Sequence, residues 1–310
     1  MSRIHEALQR AYLERGKTPV SGDLQVVDQE IGAAIDEPEP QEATTEIALH
    51  DIKQHPWSPS RASLPTLADR GKTVEQFRSL RSHIYQARYE TPLKTVLIAS
   101  GLPSEGKSFI AANLAISLAR NSVHNILLID GDLRRPTLHT LLGAPNSPGL
   151  SEYLKGNADL ADIMQCDRKS ETREAASANG ISNLTLIPSG KCTDNSSELV
   201  ASPRMKELIE SVSPSFDWIV IDAPPVLAVS DAVELARAAD GVLLVARGAS
   251  TPFEAAQHTK SAFVNSRVLG FVLNAVKQTS NSTSANYYNY YGESEAGRHS
   301  KPREDSAKKG

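Results

Sequence analysis

A chain of 310 residues with 40% apolar residues holds enough material for one full-sized α/β domain plus terminal segments. Its apolar runs, such as 96–99 and 126–129, fall far short of the roughly 20 residues that cross a bilayer, and the start Met1-Ser-Arg-Ile-His-Glu lacks the pattern of an export signal, so a cytoplasmic location is expected. A net charge of −4 argues against a dedicated nucleic-acid binder, and two cysteines, Cys166 and Cys192, are too few for a disulfide framework and spaced wrongly for a paired metal knuckle.

Residues 2–15 place Ile4, Ala7, Leu8, Ala11 and Tyr12 at helical spacing, which predicts a short amphipathic helix within 1–16. From 17 to 69 the chain is rich in proline and acidic residues and has little periodicity, which predicts a flexible acidic linker. Thr73 and Gln76 have the spacing of a capping box, and Val74, Phe77, Leu80 and Ile84 form one apolar stripe, so a helix is expected to begin near Thr73 and stop before Pro92. Apolar strands are then expected over 95–100, 125–130, 184–188, 218–222, 241–246 and 269–273. Helices are expected between them, over 108–120, 204–212, 231–239 and 252–264. Strands that are apolar throughout and alternate with helices imply one doubly wound α/β domain over about 70–277, with a mostly parallel sheet and helices on both faces. Residues 278–310 are polar and aperiodic, contain Tyr287, Tyr288, Tyr290 and Tyr291, and read as a flexible tail.

Gly101-Leu-Pro-Ser-Glu-Gly106-Lys107-Ser108 fits G-x-x-x-x-G-K-[ST] and lies between an expected strand and an expected helix, where a phosphate-cradling loop must lie. Its glycines let successive backbone N–H groups face phosphate oxygens, and the helix start adds its positive dipole end. Lys107 is expected on the β- and γ-phosphates and Ser108 on magnesium. The expected ligands are therefore ATP and Mg2+, with Gly101, Ser104, Glu105, Gly106, Lys107, Ser108 and Phe109 as the nucleotide-binding set. Asp130, Asp132 and Asp222 fall at or just beyond strand ends, on the edge of an open α/β sheet where ligands bind. In an extended segment Asp130 and Asp132 would project to the same side. Lys107 and the three acids form the catalytic candidates, and Ser108 with the three acids the metal candidates.

Taken together these residues resemble the bacterial tyrosine kinases, a P-loop family related in fold to the MinD/ParA ATPases. The resemblance covers about 70–277. It runs through residues 100–108 as Walker A, Leu-Leu-Ile-Asp-Gly-Asp-Leu-Arg-Arg-Pro at 127–136 as Walker A′, and residues 219–225 as Walker B; residues 149–154 and Ser230-Asp-Ala also look like family segments. Two positions depart from the family pattern: Ser104, where Gly is frequent, and Ser196, where a Pro commonly precedes the acidic residue of its loop. Glu75-Gln-Phe-Arg78-Ser-Leu-Arg81 resembles the family's E-x-x-R-x-x-R self-association motif. The resemblance implies a homo-oligomer, a ring, in which Glu75 of one copy meets Arg78 or Arg81 of the next. It makes Tyr287, Tyr288, Tyr290 and Tyr291 phosphoacceptors in trans, with Asp130 as base or orienter of the phenol. It further implies a role in capsule or exopolysaccharide assembly, protein substrates, and a separate membrane-embedded activator that recruits the chain to the inner membrane face. Other readings of the same fold are an organising ATPase of the MinD/ParA type and a nucleotide-dependent interaction platform without kinase activity. Leu102 stands where those ATPases usually carry an extra lysine.

Overall fold

Residues 49–120, 124–168, 181 and 183–276 are described by the computed structural model. The expected helix over 2–15, the linker up to 48 and the tail over 278–310 with its four tyrosines lie outside the described residues. In chain order the elements are β1 (Lys53–His55), α1 (Lys72–Glu90), β2 (Thr95–Ser100), α2 (Lys107–Ala119), β3 (Ile126–Asp130), α3 (Leu138–Leu142), α4 (Leu150–Leu154), α5 (Leu160–Ile163) and β4 (Gln165–Asp167). They continue with β5 (Leu184–Ile187), α6 (Ser196–Val200), α7 (Pro203–Val212), β6 (Trp218–Asp222), α8 (Asp231–Ala236), β7 (Gly241–Arg247), α9 (Phe253–Ala262) and β8 (Val268–Asn274).

The strands form one sheet in the order β1-β4-β5-β3-β6-β2-β7-β8. All pairings are parallel except β4 with β5. Successive residues of the central strands point to opposite faces, and both faces are buried. Val96 and Ile98 of β2 pack with Ile110 and Leu114 of α2, whereas Leu97 and Ala99 pack on the side of Leu208 and Val212 of α7. Covering both faces leaves the carboxyl ends of β2, β3 and β6 as the open edge. The register sets Asp130 directly opposite Asp222, and Ile98 opposite Asp222 on the other side.

Two expectations fail locally. The capping box does not form: α1 starts at Lys72 behind Gly71, with no side-chain cap. Residues 49–69, expected as linker, are built into the domain. Ile52, Trp57, Leu64 and Leu67 are buried, β1 adds to the sheet edge beside β4, and the buried Asn113 of α2 accepts from both the N–H and the hydroxyl of Thr66 while donating to Ser63 O. Four apolar anchors outweigh the prolines and acids around them. Leu64→Ala is accordingly expected to cost about 2–5 kcal/mol in urea unfolding, whereas a linker residue would cost nothing measurable.

Candidate phosphotransfer site

The loop between β2 and α2 curls because two residues take left-handed backbone angles, Gly106 at φ 96° and Ser104 at φ 63°. Glycine adopts this conformation freely, but serine pays for it through its Cβ. Ser104→Gly is expected to stabilise the chain by about 1 kcal/mol in thermal unfolding while leaving nucleotide affinity within twofold. The side chain of Glu105 serves the loop rather than its interior. It is buried, accepts Leu102 N–H at 2.8 Å and the Thr251 hydroxyl, and leaves its backbone carbonyl to Asn274 Nδ2 at 2.9 Å. Arg247 Nη1 donates to Ser104 O at 3.1 Å. Thr251, Asn274 and Arg247, which were not anticipated, therefore shape the phosphate loop; Arg247 and Asn274 end β7 and β8, the strand-end position that flagged the aspartates. Phe109 packs edge-on against Phe77, with ring centroids 5.8 Å apart.

Lys107, the first residue of α2, reaches back over the strand ends. Its Nζ lies 3.0 Å from Asp132 Oδ2, 3.7 Å from Asp222 Oδ2 and 3.2 Å from Ser108 Oγ. Burial works against its charge, but Asp222, Asp132 and Asp130 outweigh burial and hold the ammonium's pKa above the ordinary lysine value. Asp222 is fully buried; no donor meets full hydrogen-bond geometry at either carboxylate oxygen, and the Lys107 ammonium at 3.7 Å and the nearby Ser108 hydroxyl are the groups that favour its charge. Burial pushes its pKa up to about 6, with Lys107 and Ser108 pulling the other way and Asp132 adding to the rise. A buried carboxylate that one shared ammonium compensates only in part is costly, so the donor set of Asp222, Asp132 and Ser108 fits a hard, oxygen-seeking divalent ion.

Asp130 and Asp132 do not share one side as an extended segment would place them. The chain turns after β3, where Gly131 N–H donates to Asp222 O at 2.8 Å. A Cβ at Gly131 would sit 2.8 Å from that oxygen and 2.9 Å from Leu235 Cδ1, so Gly131→Ala is expected to destabilise by roughly 2–4 kcal/mol, read by urea unfolding. Asp130, fully buried, accepts Asp132 N–H at 3.3 Å on Oδ1 and the N–H groups of Thr137 and Leu138, each at 3.1 Å, on Oδ2. Its pKa is raised, first by burial and then by Asp222 opposite. Asp132 instead lines the cavity, with Arg135 N–H at 2.9 Å on its other oxygen. The cavity, about 570 Å³, is bounded by Ser104, Gly106, Lys107, Ser108, Asp132 and Arg134. That volume suits a nucleotide-sized ligand.

The motif residues of α1 lie elsewhere. Glu75 and Arg78 pair with each other, and Arg78 Nη2 also reaches Asp69 O at 2.9 Å. Arg81 donates to Ser117 O of α2. Among the described residues no helix is long and apolar enough to cross a membrane.

Residues 95–256 match the AAA_31 family, described as an AAA domain. The chain is 37% identical over 220 residues to tyrosine-protein kinase YwqD of Bacillus subtilis (strain 168), covering 70% of this chain and 86% of that one. It is 34% identical over 225 residues to tyrosine-protein kinase ptk of Acinetobacter johnsonii, covering 71% of this chain and 29% of that longer protein. The solved kinase domain of Escherichia coli tyrosine kinase ETK superposes with a TM-score of 0.61 at 32% identity, over 71% of this chain and 82% of that one. A phosphate loop with Lys107 turned to two strand-end aspartates, on a sheet shared with these proteins, places the chain in the bacterial tyrosine-protein kinase family of P-loop enzymes.

Proposed function

We propose that this kinase transfers the γ-phosphoryl group of ATP, with magnesium, to Tyr287, Tyr288, Tyr290 and Tyr291 of a neighbouring copy, and through this autophosphorylation regulates capsule or exopolysaccharide polymerisation and export. The observation that carries the reading is that Lys107 and Asp132 line a nucleotide-sized cavity, paired at 3.0 Å, with the buried Asp222 carboxylate 3.7 Å from the same ammonium. Ser108 and Asp222 would hold the metal, which when bound supplies neutralisation of the phosphate oxygens, and Asp132 is left to act on the acceptor. Incoming phosphates draw Lys107 away from Asp132, and the freed Asp132 carboxylate, already lining the cavity, takes the phenolic proton. Asp130 acts as orienter: its bonds to Asp132, Thr137 and Leu138 fix the turn that carries Asp132.

Glu75 and Arg78 have half-exposed side chains, so a second copy can exchange with their internal pair to build a ring. Each phosphotyrosine adds about −1.5 to −2 charge, and repulsion between modified tails loosens that ring. A separate membrane-embedded partner supplies the activator and the membrane address. The test is incubation of purified chain with ATP and magnesium, with and without the cytosolic segment of such a partner, followed by peptide mass spectrometry and sizing. Phosphotyrosine within 287–291 and a smaller particle are expected. ATP hydrolysis without phosphotyrosine under both conditions would instead favour an organising ATPase.

A further inference from the structure

Asp231 is a buried carboxylate to which the mechanism above gives no part. It opens α8 with no exposed surface and collects three side-chain donors. Ser196 Oγ donates to Oδ2 at 2.5 Å, the Ser197 hydroxyl donates to Oδ1, and Arg134 Nε donates to Oδ2 at 3.3 Å. Arg134 Nη2 also donates to Ser197 Oγ at 3.3 Å. Burial works to raise the carboxyl's pKa, but the two hydroxyls and the guanidinium outweigh it and hold the group below the ordinary carboxylate value, so Asp231 stays charged. Arg134 Nη1 has no hydrogen-bond partner among the described residues, and Arg134 lines the same cavity as Lys107, Ser108 and Asp132. Ser196, which stands where the family commonly has Pro, is thus one of the two hydroxyls that complete the carboxylate.

We propose that Arg134 presents its free guanidinium edge to the phosphoryl group in transit, and that Asp231, clamped by Ser196 and Ser197, is the positioning residue that holds it there. The proposal rests on the phosphotransfer reading. In that transfer the bond from γ-phosphorus to the acceptor oxygen forms as the bond to the ADP oxygen breaks, the acceptor proton passes to Asp132, and ADP leaves. Arg134 changes no bond and offsets charge on the equatorial oxygens. A free arginine would have to order several torsions as that charge develops. One whose Nε and one Nη2 hydrogen are already committed presents the remaining N–H groups with little reorganisation. Three segments converge to do this: the turn after β3, the start of α6 and the start of α8.

The test compares Arg134→Ala, Asp231→Asn and the double variant in the full chain, reading kcat and KM for ATP by both ADP release and phosphotyrosine. Each single change is expected to lower kcat about 10–100-fold with KM for ATP within about threefold, and the double variant to be no slower than the slower single one. Guanidinium chloride at millimolar concentration is expected to restore part of the activity to Arg134→Ala but not to the double variant. Ser197→Ala, which keeps every charge, is expected to lower kcat about 3–10-fold and serves as the milder probe if Asp231→Asn folds poorly. The proposal is overturned if Asp231→Asn or Ser197→Ala leaves kcat unchanged, or if the effects of Arg134→Ala and Asp231→Asn multiply, as they would if Asp231 only capped α8. Because ADP release is read separately, absence of phosphotyrosine in the unmodified chain would count against the tyrosine-kinase reading, while transfer to water would still judge Arg134 and Asp231.

Discussion

Asp222→Asn is expected to make the unliganded chain more stable and at the same time to lower phosphoryl transfer by about 10²–10³-fold. The two effects share one cause. Asp222 is a fully buried carboxylate whose charge only Lys107 and Ser108 favour, and Asp130 stands directly opposite it in the sheet. Replacing its charge by a neutral amide relieves a desolvation and like-charge cost that exceeds the attraction of Lys107 and Ser108, a net gain of about 1–3 kcal/mol readable in urea unfolding at neutral pH without nucleotide. On the proposed reading, the same change also removes the anionic ligand that Asp222 would supply to magnesium beside Ser108. Saturating Mg-ADP should then reverse the order of stability, since it protects the unmodified chain and not the variant. If Asp222→Asn proved less stable than the parent without ligand, Asp222 would be a structural group rather than half of a cation site.

Lys107→Met should act on stability with the opposite sign. Lys107 is 12% exposed and is the cation that faces the carboxylates of Asp132 and Asp222, themselves 5% and 0% exposed. Deleting it strands those carboxylates, so the unliganded variant is expected to lose about 3 kcal/mol of stability and to fall about 10³-fold or more in transfer. Thermal unfolding across the magnesium concentration range distinguishes this from a simple cavity effect. Magnesium alone should recover a larger part of the loss in Lys107→Met than in a core truncation such as Leu64→Ala, because only the former leaves orphaned carboxylates for it to bind.

Much of this site could be read from local pattern. The strands Thr95–Ser100 and Trp218–Asp222 carry uninterrupted apolar runs, and the glycine spacing after Ser100 admits few conformations, so the positions of Lys107, Ser108 and Asp222 at strand ends are legible from local pattern. The distinction between Asp130 and Asp132 was not legible. It depends on the chain turning at Gly131 against Asp222 O, a contact between residues 91 positions apart. The cluster of Arg134 with Asp231 spans 97 positions and follows no period, so sequence offers only the individual residues. Residues 49–69 misled for a compositional reason: their prolines and acids mask Ile52, Trp57, Leu64 and Leu67, whose irregular spacing matches neither helix nor strand although all four are buried. The three-residue β4 is too short to show alternation, so its antiparallel pairing with β5 leaves no mark in the local pattern.

The claim that this chain phosphorylates the C-terminal tyrosines of its neighbours is tested most directly by mixing two inactive halves. Lys107→Met keeps its tyrosines but lacks the ammonium proposed to bind phosphate; the variant with Tyr287, Tyr288, Tyr290 and Tyr291 all replaced by Phe keeps the site but lacks the proposed acceptors. With ATP and magnesium, neither alone is expected to gain phosphotyrosine within 287–291, and the mixture is expected to gain it on the Lys107→Met chain, identified by mass. A mixture that hydrolyses ATP yet leaves those tyrosines unmodified would contradict the account.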